Sequence, residues 1–415
     1  MPEDEFIQYS IKDVGTVITG STPSTSDKTA WVDEIPFLTP TDIDDFDYVV
    51  NPVRRVSAES SKNYHSRIVQ QESVGVVCIG ATIGKLARIN TPTLTNQQIN
   101  SIVPNLEILD RDYLFYLLIL YEPYLKRLAG GSATPLLVKS DFENITLRLP
   151  SLTRQKKVSS ILKDFDELIY GYSNVVDHLK NLCASIFEYW FVQYDFPDDQ
   201  GKPYSSSGGE LTVDKDSEIS VPCGWDISKL SSHIDVVSGY PFNSKDYRED
   251  GEYGVVTIGN VKDGFLDIAK QNRIDIDLDL VPEHCLLREK DILVSLTGNV
   301  GRVAFVHEER QLLNQRVGKL DPQQNFKNYA YLYLSRPEIK KRLENIANGS
   351  SQDNLSPNDL FADFTAIPPS NVLVKFNQLV DPLVEQIIQV QKQINNLSKL
   401  KAFYLPLLID GKLTW

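Results

Sequence analysis

Three stretches of this chain place residues at spacings that catalysis or cofactor binding could use. Gly80-Ala81-Thr82-Ile83-Gly84-Lys85-Leu86 approaches a phosphate-binding loop, in which backbone N–H groups and a lysine cradle a nucleotide. It is one residue short, and Leu86 stands where a magnesium-holding Ser or Thr belongs. Asp275, Asp277 and Asp279 alternate like the opening of a calcium loop, yet Leu280 replaces the glycine of the sharp turn and Leu286 the closing Glu ligand. Their alternation with Ile274, Ile276 and Leu278 predicts instead a strand with one wet face. Asn51-Pro52-Val53-Arg54 comes nearest to the Asn-Pro-Pro-aromatic motif of amino-methyltransferases, but it lacks the second proline and the aromatic. The five histidines, His65, His178, His233, His284 and His307, show no HExxH or paired spacing, so metal hydrolysis and Ser/His chemistry lack support.

The elements that would position any site come next. With 415 residues, 46.9 kDa, 41% apolar and 24% charged residues and a mean hydropathy of -0.24, the chain has room for two or three domains with full cores. The longest apolar run, Tyr113 to Tyr121, falls short of the ~20 residues a membrane span needs. The acidic opening Pro2-Glu3-Asp4-Glu5 predicts no secretory leader. Cys78, Cys183, Cys223 and Cys285 form no CxxC pair, which points to neither a zinc cage nor a disulfide framework and suits a cytoplasmic protein. A net charge of -14 works against phosphate-driven binding, so any DNA contact needs cations gathered on one face or borrowed from a partner.

Self-comparison reveals a tandem duplication. Val17 and Gly20 recur as Val236 and Gly239; Gly84, Lys85 and Ala87 recur as Gly301, Arg302 and Ala304. Asn96-Gln97 is answered by Asn314-Gln315, Lys126-Arg127-Leu128 by Lys341-Arg342-Leu343, Gly131-Ser132 by Gly349-Ser350, Asp141 by Asp359 and Pro150 by Pro368. The order holds at an offset of 215 to 219 residues. Each copy opens with short Val/Ile/Leu-rich runs, such as Gly75 to Ile79 and Asp291 to Leu296, followed by a helical stretch at Asp112 to Leu128 or Tyr329 to Ile346. That pattern predicts an α+β chain with two similar mixed α/β globules, each followed by a long helix.

The helices carry heptads. Val158, Ile161, Phe165, Leu168, Tyr172, Val175, Leu179, Leu182, Ile186 and Tyr189 are spaced alternately three and four apart, as are Val380, Leu383, Ile387, Val390, Ile394, Leu397, Lys401 and Tyr404. At 1.5 Å per residue the two runs span roughly 47 Å and 36 Å. Either seam could pack only on its own globule, but two in one chain predict mutual pairing. Because the chain passes through the second globule and returns, the pair should run antiparallel with pseudo-two-fold symmetry. Expected boundaries are 1–150 for the first globule, 151–196 for a central helix, 197–222 for a polar linker, 223–370 for the second globule and 371–415 for a C-terminal helix.

Two readers on a spacer of this order can address two major grooves about 34 Å apart, and dissimilar readers imply an asymmetric, split target. At this point the chain resembles the specificity subunit of type I restriction-modification enzymes. The likeness rests on Gly20-Ser21-Thr22-Pro23-Ser24, the glycine-bearing strand pair, the Asn-Gln stretch, the Gly-Ser turn, and Leu149-Pro150-Ser151-Leu152-Thr153-Arg154-Gln155 leading into a long helix. Pro241-Phe242-Asn243 departs from the Thr22-Pro23-Ser24 pattern in copy two.

The resemblance implies a non-catalytic subunit with one target-recognition domain per half of a bipartite double-stranded DNA site. It also implies helices that dock two methyltransferase subunits and, through them, restriction-translocase subunits. The methyltransferases would bring S-adenosylmethionine and the adenine-methylating site, leaving no cofactor or metal for this chain and no role at a membrane.

If partners grip the phosphates, this subunit need only read base edges, where Asn and Gln suit adenine and Arg and Lys suit guanine. Candidates are Lys85, Arg88, Asn96, Gln97 and Gln98 in copy one, and Arg302, Asn314, Gln315 and Arg316 in copy two. The repeated Asn-Gln pairs could equally stabilise a shared turn. Residues that differ between copies are better specificity candidates: Ser21 and Thr22 against Tyr240 and Phe242, and Arg54 and Arg55 against Asn272 and Arg273. A coiled-coil scaffold for proteins and a freestanding DNA methyltransferase are the alternatives.

Overall fold

The computed structural model describes residues 5–413 except 25, 27, 33, 44–49, 51, 58–63, 131–134, 214–219, 270 and 349–354. The repeated Gly-Ser pairs at 131–132 and 349–350, and Asn51, lie outside the described residues. The chain divides into two units, residues 1–170 with 397–415, and residues 171–396.

In the first unit, alternating apolar runs build an antiparallel sheet in the order Gly15–Thr19, Ile99–Pro104, Ser73–Val77, Leu86–Ile89. A second sheet runs Arg55–Val56, Ile35–Leu38, Thr93–Thr95, Ile68–Val69, with the middle two strands parallel. A ribbon pairs Ile7–Ser10 with Thr146–Leu149. Three strands of the first sheet are buried nearly throughout, and a helix, Arg111–Leu128, packs on two of them, Leu86–Ile89 and Ser73–Val77; the edge strand Gly15–Thr19 buries only Val17. Asp110 caps that helix, its carboxylate accepting from the Tyr113 N–H at 2.8 Å. Tyr113 to Leu118 are all buried in the resulting core.

The second unit repeats this topology. Its antiparallel sheet runs Ile234–Ser238, Val317–Pro322, Ile292–Ser295, Val303–Phe305. The mixed sheet runs Arg273–Ile274, Tyr253–Val256, Gln311–Leu313, Leu286–Leu287, with an added edge strand at Tyr247–Arg248. Asp226–Lys229 pairs with Phe364–Ile367. Equivalent strands start 217 to 219 residues apart, so the duplication read from side chains holds at the level of hydrogen-bonded neighbours.

Three expectations outside the long helices change on contact with the fold. The second copy's helical stretch is two helices, Lys327–Ser335 and Pro337–Asn348. Arg336 is forced to φ -69, ψ 135 because a residue before proline avoids the helical region. The strand expected through Ile276 and Leu278 ends at Ile274, since the Asp277 carboxylate accepts from the Asp279 N–H at 3.1 Å and starts a 3-10 turn over Leu278–Leu280. Residues 197–222, read as a polar linker, are tied into the second unit where described: Phe196 stacks on Tyr204 at 4.8 Å and on Trp225 at 5.1 Å, and Asp195 accepts from the Ser206 N–H at 2.7 Å.

The long helices span Leu152–Phe187, extended by a π-turn over Glu188–Val192, and Ser370–Ile409. They run antiparallel. In the first unit Arg154 donates to the Leu413 carbonyl at 3.1 Å while Asp166, a few turns on, meets Lys401. In the second unit Phe187 and Trp190 pack on Phe376 at 6.3 and 5.6 Å.

The seam differs from the expected one. Ile161, Leu168, Val175, Leu182 and Tyr189 stay 37 to 50% exposed, whereas Val158, Leu162, Val176, Cys183 and Phe187 are buried. Phe165, Tyr172, Leu179 and Ile186 are half-buried. The first helix is apolar along three adjacent lines, and packing uses two of them. The second helix keeps its expected seam: Val380 and Ile387 are buried and Leu383, Val390, Ile394 and Leu397 half-buried, with Val384 and Ile388 added.

Candidate nucleic-acid interface

In both units two loops meet where the first strand ends. Gly20 follows Thr19 and lies so close to the mixed sheet that a Cβ would sit 2.1 Å from the Asn96 carbonyl oxygen. At Gly239 it would sit 2.1 Å from that of Leu313. Only glycine permits this approach. The chain is then bonded in place: Ser21 N–H donates to the Thr95 carbonyl at 2.8 Å and Tyr240 N–H to that of Leu313 at 2.9 Å. The second loop arrives from the parallel strand. Asn96 N–H donates to the Leu38 carbonyl at 2.9 Å and Asn314 N–H to that of Val256 at 3.1 Å.

The two loops therefore put Thr22 against Gln97, whose side chains hydrogen-bond, and Tyr240 against Gln315, whose N–H donates to the Tyr240 carbonyl at 3.1 Å. Thr22, Gln97, Gln315 and Arg316 are exposed, and Ser21, Gln98, Tyr240 and Asn314 half-buried. These eight residues form the candidate interface, one set per unit. Their polar groups, raised on a rigid sheet end, can donate to and accept from base edges.

Several sequence candidates prove to be occupied. Asn96 is 9% exposed; its carboxamide donates to Gln98 at 3.0 Å and accepts from the Gln98 N–H at 3.0 Å, so it builds the turn and does not face a ligand. Lys85 donates to the Ile43 carbonyl at 2.7 Å, which also removes the lysine from the loop that approached a phosphate cradle. Phe242 is buried in the second unit's core, its ring edge-on to Tyr240 at 5.1 Å. Arg273 donates to the Gly251 and Glu252 carbonyls at 2.6 and 2.7 Å and closes a turn. Arg302 lies 3.8 Å from Asp263.

Arg88 is the clearest correction. It is 4% exposed and sandwiched between Asp112, 3.1 Å away, and Asp166, 3.0 Å away, with its guanidinium 3.8 Å from the Phe115 ring centre. Arg54 and Asn272 are exposed; Arg54 lies over Trp31 and Phe37 at 5.7 and 5.3 Å. Arg55 donates to the Glu34 carbonyl at 2.8 Å.

Two residues at the loop roots escaped the sequence reading. Arg67 Nη1 donates to the Thr19 carbonyl at 3.0 Å, and His284 Nε2 lies 3.0 Å from the Ser238 carbonyl. The turns that carry them, His65–Arg67 and Glu283–Cys285, stand 218 positions apart, but Arg67 is the last residue of its turn and His284 the middle one of its own, so self-comparison aligns neither with the other.

Among the described residues no group of three His, Cys, Asp or Glu side chains could hold a metal, and no helix is long and apolar enough to cross a membrane.

The family model described as "Type I restriction modification DNA specificity domain" matches residues 3–175 and again 222–398. The specificity subunit of the type I restriction enzyme MjaIX from Methanocaldococcus jannaschii is 28% identical over 100% of this chain and 94% of its own. The MjaVIII specificity subunit from the same organism is 26% identical over 83% and 80%. The crystal structure of the type I restriction-modification S subunit from M. genitalium shares the fold, with a TM-score of 0.56 at 14% identity over 98% of this chain and 97% of that one. With two family matches laid over two units of one topology, the chain belongs to the type I restriction-modification DNA specificity family, whose members are the non-catalytic, target-recognising subunits of their complexes.

Proposed function

We propose that each unit reads one half of a bipartite, asymmetric DNA target, the first through Ser21, Thr22, Gln97 and Gln98 and the second through Tyr240, Asn314, Gln315 and Arg316. One observation carries this reading: the same two loops meet at the same sheet end in both units, yet they present different side chains there. Identical scaffolds with unlike tips suit two half-sites of unlike sequence. Exposed Arg54 and Asn272, at matching positions on the mixed sheets, extend each surface.

The methyl transfer belongs to partners. Two methyltransferase subunits, carrying S-adenosylmethionine, dock on the long helices, and restriction subunits join through them in the cytoplasm. Exposed apolar side chains, Ile161 and Leu168 on the helix in the first unit and Val175, Leu182 and Tyr189 in the second, support this, because apolar groups left in water on each unit's helix suit a protein partner.

The test is an exchange of residues 1–150 for the first domain of another family member, with methylated bases mapped in genomic DNA by single-molecule sequencing. One half-site should change and the other persist. A change in both, or in neither, overturns independent reading.

A further inference from the structure

Each recognition loop leaves its strand at a carbonyl that a side chain from another element holds. In the first unit the carbonyl belongs to Thr19 and the donor is Arg67, in the 3-10 turn His65–Arg67 that precedes the strand Ile68–Val69. In the second unit the carbonyl belongs to Ser238 and the partner is His284, in the 3-10 turn Glu283–Cys285 that precedes Leu286–Leu287. Both distances are 3.0 Å, and both side chains are exposed. The same strand-end carbonyl is thus held from the same turn in both units, by the turn's last residue in the first and by its middle residue in the second.

Its position matters more than its strength. Thr19 and Ser238 are the last strand residues, and Gly20 and Gly239 follow, each pressed on the neighbouring strand without room for a Cβ. A strand end held from both sides, by the sheet's own pairing and by this donor, fixes the direction in which Ser21-Thr22 or Tyr240 departs. A readout of base edges needs that direction constant, because hydrogen bonds weaken steeply with misalignment.

We infer that Arg67 and His284 are positioning residues for target recognition, each serving only its own half-site. The inference rests on the half-site reading proposed above. What each must supply is a donor to that carbonyl: lysine at 67 or glutamine at 284 retains one, and an alanine does not.

The experiment co-expresses the full chain with its methyltransferase subunit in a host free of this methylation and maps the modified sites. Arg67→Ala should make the first half-site degenerate, with discrimination at its bases falling by roughly tenfold, the order expected for losing a hydrogen bond to a charged donor, while the second stays sharp. His284→Ala should do the reverse. Arg67→Lys and His284→Gln, which retain a donor, should keep both half-sites sharp. Unchanged half-sites in both alanine variants overturn the inference, and so does equal blurring of both halves by either variant, which marks general loosening of the fold. A wild-type map without a two-part motif is a different failure, that of the half-site reading itself.

Discussion

Arg88 and Asp166, 78 residues apart in sequence, lie 3.0 Å apart in the interior of the first unit, where the first long helix meets the globule. Asp166 also accepts from Tyr116 OH at 2.6 Å and pairs with Lys401 on the second long helix. Burial pushes the Tyr116 phenol well above its ordinary range, so it remains a donor. The matching positions in the second unit are Phe305, Val384 and Cys183, all buried, and Phe305 packs on Tyr331 at 4.1 Å. One fold thus closes the same junction with charges in one copy and with apolar groups in the other.

Asp166→Ala leaves the buried Arg88 and the half-buried Lys401 near each other with one fewer counter-charge. It should destabilise the protein by about 3 kcal/mol, since removing one partner of a buried pair strands the other. Denaturant titration followed by circular dichroism measures this. Arg88→Ala should leave the methylated sequence unchanged, because Arg88 cannot reach a base.

Leu168→Glu and Leu182→Glu, both at exposed apolar side chains, should weaken binding of a methyltransferase partner by tenfold or more, about 1.4 kcal/mol, with the melting temperature little altered. Val176→Glu, one residue from exposed Val175 but buried, should unfold much of the second unit instead. Titration calorimetry beside thermal melts separates the two effects; equal partner binding by the Leu168 and Leu182 variants would sink the docking assignment.

Thiol reactivity should single out Cys223, which is exposed, because the thiolate is the attacking form. Burial raises Cys78 to about 12 and Cys183 to about 11, and pushes Cys285 up as well. A disulfide reagent at pH 8 should therefore modify one cysteine quickly and the other three only on unfolding. Mass spectrometry gives the count, and rapid labelling of Cys78 would contradict its burial.

Hydrogen bonds from the Ser206 hydroxyl and then its N–H hold the Asp195 carboxyl below the usual Asp range. A depressed carboxyl contributes stability above the ordinary Asp value and loses it as pH falls through the folded value. Ser206→Ala should lower stability at neutral pH and flatten the loss on acidification. Melting temperatures from pH 7 to pH 3 test this; parallel curves for the two proteins refute the linkage.

Much of this architecture was legible in one dimension. Val17, Gly20, Gly84 and Asn96 recur in order because they sit where a copy cannot drift: a strand core, a close backbone approach, a turn at φ +91, a side chain that closes its own loop. Periodicity likewise located both long helices.

The failures have physical causes as specific. The first helix is apolar along three adjacent lines, so spacing by threes and fours could not say that Leu162, Val176 and Cys183 face inward while Leu168 and Leu182 face water. Arg88 and Lys85 have the chemistry of guanine readers, but their fate depended on Asp112, Asp166 and the Ile43 carbonyl, brought near only by folding. Composition and order alone determined that this chain is one unit written twice, with a long helix after each copy. Which cations stay free for a ligand and which become internal struts was decided by tertiary structure, because the partner of a charged group is a neighbour in space, and that neighbour can be 235 residues away, as Lys401 is from Asp166.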